Sequence, residues 1–150
     1  MIDKFSQALA LMREAFADAH TGAGLMPLGD LAAEVDGAQQ LINAASAVQV
    51  LRVAQYAGRV QGYDACGEWG EVDDLGVGHV GDFASDCFGP MLAMGSIAAE
   101  RKVQTFAMIA AKLPMTLAAM SAGDLDSWRA TIIATELFMA SAESCAAVER

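Results

Sequence analysis

Signals that start and stop helices are concentrated between Gly78 and Leu137, and they constrain the fold more than any other feature. Turn residues such as Gly89-Pro90 and Met94-Gly95 separate segments made of good helix formers. Ala, Leu, Met, Gln and Glu favour helix, and β-branched runs are scarce. The pattern therefore predicts an all-α fold: a single helical domain over residues 1–150, with about six helices and a helix-turn-helix-like centre.

The first segment, from Asp3 to His20, has the spacing of an amphipathic helix. Its apolar residues Phe5, Leu9, Met12 and Phe16 recur at intervals of three and four. We expect Asp3 to cap this helix and Thr21-Gly22 to end it. A connector rich in glycine and proline follows, over residues 21–29.

A second, long helix is predicted from a cap at Asp30 to about Gly62. The acidic, glycine-rich stretch from Tyr63 to Gly81 has no helical period, so it predicts a loop with one short extended piece around Glu71-Val72. We expect Trp69 to pin this loop to the core.

The stretch from Phe83 to Thr105 has the form of a helix-turn-helix motif. Asp82 is the predicted cap of its first helix, and Gly89 allows two helices to cross closely. Ser96 is the predicted cap of the second helix, which continues to Lys112. The residue types that reach phosphates or base edges on this second helix are Ser96, Arg101, Lys102, Gln104 and Thr105. The alternative is an ordinary helical hairpin whose charged residues face solvent.

The last third predicts two more helices. Pro114 suits the first position of a short helix that ends near Met120, before Gly123. Asp124 is the predicted cap of a final helix from Leu125 to about Val148, which has no stop signal before the chain ends. We expect self-association into a dimer through the long second helix and this apolar last one.

The charge of the chain argues against strong binding to DNA. Nine basic residues stand against nineteen acidic ones, which gives a net charge of −10. Duplex binding depends on lysine and arginine neutralising phosphates. A DNA contact is therefore expected to be weak, unless the few cations cluster on one face.

Other functional classes find little support in the sequence. The best candidate membrane span, Val103 to Met120, is interrupted by Gln104, Lys112 and Pro114, so no membrane segment is expected despite a mean hydropathy of +0.34. No secretion signal is evident, and three widely spaced cysteines fit reduced thiols in a cytoplasmic protein. Cys66, His79 and Cys87 lack zinc-ligand spacing, so we expect no metal, no cofactor and no catalytic residues. These two cysteines are expected to be small buried side chains.

The order of several short elements also resembles a known family. They are Trp69 with Glu71-Val72-Asp73, Gly78-His79, Asp82-Phe83-Ala84, Ala99-Glu100-Arg101-Lys102-Val103, Leu113-Pro114, Ala122-Gly123-Asp124-Leu125 and Trp128-Arg129-Ala130. Over roughly residues 40–149 the chain resembles the domain of unknown function 222 family, also called the 13E12-repeat family, of actinobacterial and mobile-element proteins.

The resemblance implies a helical region that precedes a C-terminal His-Asn-His endonuclease domain in full-length relatives. That nuclease domain is not present in this sequence, so its catalytic residues have no positions here. The leading hypothesis is a non-catalytic helical module of an endonuclease-like protein, used for DNA-linked recognition or assembly. The alternative is a helical oligomerisation or protein-interaction module that makes no nucleic-acid contact.

Overall fold

A computed structural model describes residues 2–22, 26–63 and 65–150, and it divides into two compact units. The first unit, Met1–Ala38, contains helix α1 (Ile2–Gly22) and the start of helix α2 (Leu28–Ala57). The second, Gln39–Arg150, contains the rest of α2 and every later element. Those later elements are β1 (Arg59–Tyr63), β2 (Trp69–Asp74), α3 (Ala84–Met91), α4 (Ser96–Lys112), α5 (Pro114–Ala122), α6 (Ser127–Glu136) and α7 (Ala142–Val148).

The predicted helical character is confirmed, but the fold is not purely all-α. Across the described residues there are seven helices rather than six, and one antiparallel sheet of two strands. The sheet pairs β1 with β2, and a register shift lies between Val60 and Gln61. The short extended piece predicted around Glu71-Val72 is therefore real, and it is one half of a hairpin.

The predicted end of α2 at about Gly62 was wrong because the chain leaves the helix at Gly58. The amide of Gly81 donates to the Ala57 carbonyl at 2.8 Å, and the amide of Leu75 donates to the Gly58 carbonyl at 2.9 Å. A Cβ at Gly58 would collide with the carbonyl of Gly76. These contacts satisfy the last carbonyls of α2 from a distant loop, so no helical turn follows them.

Helix α4 lies at the centre of the core of the second unit. Its side chains Val103, Phe106 and Ile109 are almost fully buried. They pack in one cluster with buried residues from α2, α3, α5, α6 and α7, including Val50, Phe88, Met120, Ala130 and Cys145. Burial of these apolar side chains is the main stabilising term of this unit.

Five predicted capping residues do not cap their helices. α2 and α6 begin at Leu28 and Ser127, so Asp30 lies inside a first turn and Asp124 lies before the cap. α3 has Phe83 at its N-cap position rather than Asp82, and α4 has Gly95 there rather than Ser96. Asp3 likewise lies inside the first turn of α1. An aspartate within a first turn still stabilises the helix dipole without capping it.

The final helix was predicted to run unbroken from Leu125 to Val148, but the chain bends between Leu137 and Ser141. The side chain of Asp126 caps α6, and that of Ser141 caps α7 by accepting from the Ser144 amide at 3.1 Å. The bend allows Cys145 on α7 to reach the core, where it is fully buried.

The boundaries of α5 are confirmed. It begins at Pro114, and Gly123 follows it in a left-handed conformation with φ of 94°. Its first turn is capped from the other end of the unit, because Glu149 accepts from the Thr116 amide and hydroxyl at 2.7 Å each.

None of the helices in residues 2–22, 26–63 and 65–150 has by itself the length and apolar content needed to cross a membrane.

Candidate functional site

Helices α3 and α4, which the sequence predicted as a helix-turn-helix-like pair, pack against each other and are joined by a short turn. A Cβ added at Gly89 would lie 3.8 Å from the Ala99 Cβ and 3.3 Å from the Met94 carbonyl oxygen. Gly89 therefore permits the close crossing that the sequence predicted. The turn between the helices contains Ala93 with a positive φ of 52°, and Pro90 lies in the last turn of α3.

The five residues predicted to face nucleic acid do not form one free surface on α4. Ser96, Arg101 and Gln104 are exposed, whereas Lys102 and Thr105 are half-buried. The Lys102 ammonium lies 5.3 Å from the centre of the Phe106 ring, and the Thr105 hydroxyl donates to the Arg101 carbonyl at 2.8 Å. The Gln104 amide also donates to Glu100 of the same helix, so three of the five side chains are engaged with the helix itself.

The charges around α4 are mixed. The helix contains three basic residues and one acidic one, Glu100, which gives it a net charge of +2 within a chain of −10. The carboxylate of Glu100 accepts from the Gln104 amide at 3.4 Å. Elsewhere Arg59 pairs with Glu71 at 2.9 Å and Arg129 with Asp126 at 2.7 Å. These two cations are already neutralised by carboxylates.

The first unit presents a different kind of surface, which we call the helical arm (residues 2–22 and 26–38). Its α1 stripe is Phe5, Leu9, Met12 and Phe16, whose exposures are 53%, 53%, 43% and 74%. Leu28 and Val35 on α2 are 83% and 71% exposed. No side chain described in the arm is buried. The amphipathic pattern of α1 was predicted; the exposure of its apolar side chains was not.

Three aromatic side chains cluster on the hairpin. Trp69 meets Tyr63 edge-on with ring centres 5.1 Å apart and Phe83 with ring centres 6.2 Å apart. Trp69 is 53% exposed, so the expectation that it pins the loop to the core was wrong. It packs on the hairpin because Tyr63 is its direct partner across the two strands.

A small cavity of about 40 Å³, lined by both polar and apolar side chains, lies where β1 meets α3. Its lining includes Tyr56, Gln61 and Cys87, and the Tyr56 hydroxyl accepts from the Gln61 amide at 2.6 Å. The contact with the Cys87 side chain and burial raise the pKa of Tyr56. A cavity of this size holds only a few water molecules, so it is no place for an organic substrate.

The cysteines and acidic residues do not converge on a metal. Within the described ranges, no three His, Cys, Asp or Glu side chains are grouped closely enough to hold an ion. Cys66 is exposed and Cys87 is half-buried, so the expectation that both are buried was wrong.

Comparisons with known proteins give no match: no protein-family model fits the chain, and no curated protein or solved structure is significantly similar to it.

Proposed function

We propose that this protein is a helical protein-interaction module that self-associates through its arm. The observation that carries the proposal is the apolar stripe of α1, which remains exposed along the helix. The second unit has a core of its own, to which no described side chain of the arm belongs. Packing against another chain would explain why the arm carries an apolar stripe that contributes to no core.

The energetics of an isolated helix support this proposal. Short helices are marginally stable in water, and most helical stability in proteins comes from packing of an apolar face. Continuous apolar patches larger than a few hundred Å² are rare on soluble monomers and mark interaction sites. A partner bound to the arm would pack against the apolar face of α1, and it would remove the exposed apolar patch from water.

The resemblance described above adds a biological context to the proposal. A self-associating helical region would act as the assembly module of a mobile-element-associated, His-Asn-His endonuclease-like protein. In that setting its role is to bring copies of the longer protein together, and it requires no catalytic residue of its own.

Light scattering on the full chain tests the proposal. We expect a mass that rises from one copy towards two with concentration, and more strongly at high salt, because salt screens repulsion between copies of charge −10. A double variant, Phe5→Gln with Phe16→Gln, should shift the protein to one copy. The control is Ile97→Gln, since Ile97 is 68% exposed but lies on α4. A single-copy mass for the unaltered chain at all concentrations contradicts the proposal.

A second candidate function is weak DNA contact through α4, favoured by its local charge of +2 and the exposure of Arg101. Titration of a duplex at low salt should then show binding that weakens steeply as salt rises. Arg101→Ala with Lys102→Ala should reduce it at least about tenfold. The opposite salt responses separate the two candidates: self-association strengthens with salt, and DNA binding weakens.

A further inference from the structure

The stripe on α1 has the same spacing in both chain directions. Phe5, Leu9, Met12 and Phe16 are separated by four, three and four residues. On a helix of 3.6 residues per turn they lie within about 60° of one another. A stripe with this symmetry is complementary to itself when a second copy is reversed. Phe5 then lies opposite Phe16 of the second copy, and Leu9 opposite Met12.

We infer that α1 pairs with α1 of a second copy, antiparallel and about a two-fold axis between Leu9 and Met12. This inference rests on the proposed self-association and adds the occupant of the stripe, its direction and its register. A two-fold interface uses the same residues from both copies, so each contact occurs twice. The stripe positions are those that form the seam of a coiled coil.

The residues beside the stripe fit an antiparallel neighbour. On one side are Ala8 and Ala15, which lie opposite each other in this register and permit close approach of the two helices. On the other side Ser6 lies opposite Arg13 of the second copy. Neither flank brings like charges together.

The acidic residues of α1 lie on the face opposite the stripe. Asp3, Glu14 and Asp18 are all exposed, and the helical repeat places them about half a turn from the centre of the stripe. The repulsion expected between two acidic chains is therefore weakest across this face. A second copy, which is itself acidic, is therefore expected to bind at the uncharged stripe and not at the acidic face of α1.

The exposed apolar area is sufficient for a small stable interface. At the observed exposures, each stripe side chain offers on the order of 100 Å², so an α1 pair buries roughly 800 Å² over both copies. Leu28 and Val35 of α2 add further exposed apolar area in the same arm. The arms of two copies together reach on the order of 1,200 Å², at the lower end of standard interfaces.

Cysteine cross-linking tests the direction of pairing in the full chain. Ala8→Cys and Ala15→Cys are made as separate proteins, each with Cys66→Ser to remove the exposed native thiol. In the antiparallel register a mixture of the two proteins forms a disulfide between residues 8 and 15. Each protein alone leaves its own cysteines about 10 Å out of register, too far for a disulfide. We expect at least about tenfold more cross-linked dimer in the mixture.

A matched pair of lysine variants tests whether the stripe is the face of α1 that forms the dimer. Leu9→Lys should weaken dimerisation at least about tenfold, whereas Leu11→Lys should leave it within about twofold. Both leucines are exposed on α1, at 53% and 65%, but only Leu9 lies on the stripe.

The outcomes separate this inference from the proposed function. Self-association with strong cross-linking in each single protein means parallel pairing, and it overturns the inference while the proposed function stands. Self-association with no cross-link in any sample, or equal effects of the two lysine variants, overturns it as well. A chain that stays as one copy and forms no cross-link contradicts both.

Discussion

The side-chain amide of Asn43 donates a hydrogen bond of 2.7 Å to the main-chain carbonyl of Gly123, which joins the middle of α2 to the end of α5. Asn43 is 5% exposed and is the one asparagine in the chain. Its amide oxygen accepts from the Gln39 side chain at 2.9 Å. A buried amide with both ends satisfied holds two elements in a fixed relation that apolar packing alone does not specify.

Removing this amide should destabilise the second unit. Asn43→Ala leaves the Gly123 carbonyl without its buried donor, and we expect a loss of about 2 kcal/mol in the free energy of unfolding. Urea denaturation measures it. The control is Gln39→Ala, which removes only the outer hydrogen bond and should cost less than about 1 kcal/mol. Equal losses from the two variants would show that the bond to Gly123 has no special weight.

Gly123 itself should tolerate no side chain. Its φ of 94° is strained for any other residue, and a Cβ there would lie 2.8 Å from the Gln40 Cβ. Gly123→Ala should therefore lower the free energy of unfolding by about 2 kcal/mol or more. Gly37→Ala is the matched control, because a Cβ at Gly37 meets nothing within 4 Å and alanine favours the helix. Thermal unfolding measures both variants: the melting temperature should fall for Gly123→Ala and should stay the same or rise for Gly37→Ala.

The elements that were predictable from sequence are those with local causes. Pro114 and Gly123 delimit α5 because proline suits the first turn and glycine the left-handed residue after the last. The hairpin was missed because β2 is exposed throughout, β1 is at most half-buried, and neither strand has a clear alternation of buried apolar and exposed polar residues. The end of α2 depends on a distant loop at Leu75 and Gly81, which no local pattern encodes.

The candidate site was also predictable only in part. A small residue before a turn predicted the close crossing of α3 and α4 at Gly89, and in the structure Ala99 lies against Gly89. The engagement of Lys102 with Phe106 and of Thr105 with the backbone did not follow, because those contacts depend on side-chain conformation. The stripe of α1 was evident in the sequence, but a helical period alone does not reveal whether another element covers it.

The carboxylate of Glu149 should stabilise α5 as a long-range cap. It accepts from the amides of Met115 and Thr116 at 3.2 and 2.7 Å, and Leu113 at the N-cap position offers no side-chain acceptor. Glu149→Ala should therefore lower the free energy of unfolding by about 1 kcal/mol, as loss of a cap does. Urea denaturation compares it with Glu136→Ala, an exposed acidic residue in the last turn of α6. If both variants match the parent, the cap contributes nothing.

The three cysteines should react with a thiol reagent at very different rates. Cys66 is exposed, Cys87 is half-buried and Cys145 is fully buried. Under native conditions we expect the thiol of Cys66 to react within seconds to minutes. Cys145 should react only when the second unit opens. Mass spectrometry of the labelled protein identifies each site. Rapid labelling of Cys145 in the folded protein would contradict its place in the core.

Asp126 should make the stability of α6 depend on pH in the acid range. Its carboxylate accepts from the Arg129 amide at 2.8 Å and pairs with the Arg129 guanidinium at 2.7 Å. These contacts, the amide first, hold the pKa of Asp126 below its ordinary value of 3.8. A lowered pKa in the folded state means that the stabilisation is complete above pH 3.8 and is lost as the pH falls through the folded value.

Two variants isolate this contribution. Asp126→Ala removes both the cap and the charge, so its melting temperature should lie a few degrees below that of the parent from pH 5 to 7. Asp126→Ser keeps a neutral cap, so its loss should be smaller. As the pH falls from 3.8 through the lowered pKa of the folded state, the carboxylate of the parent is protonated. The gap between the parent and Asp126→Ser should then close while both still exceed Asp126→Ala. Melting curves between pH 3 and 7 measure these differences. A gap between the parent and Asp126→Ser that is the same at every pH would mean that the charge of Asp126 does not stabilise α6.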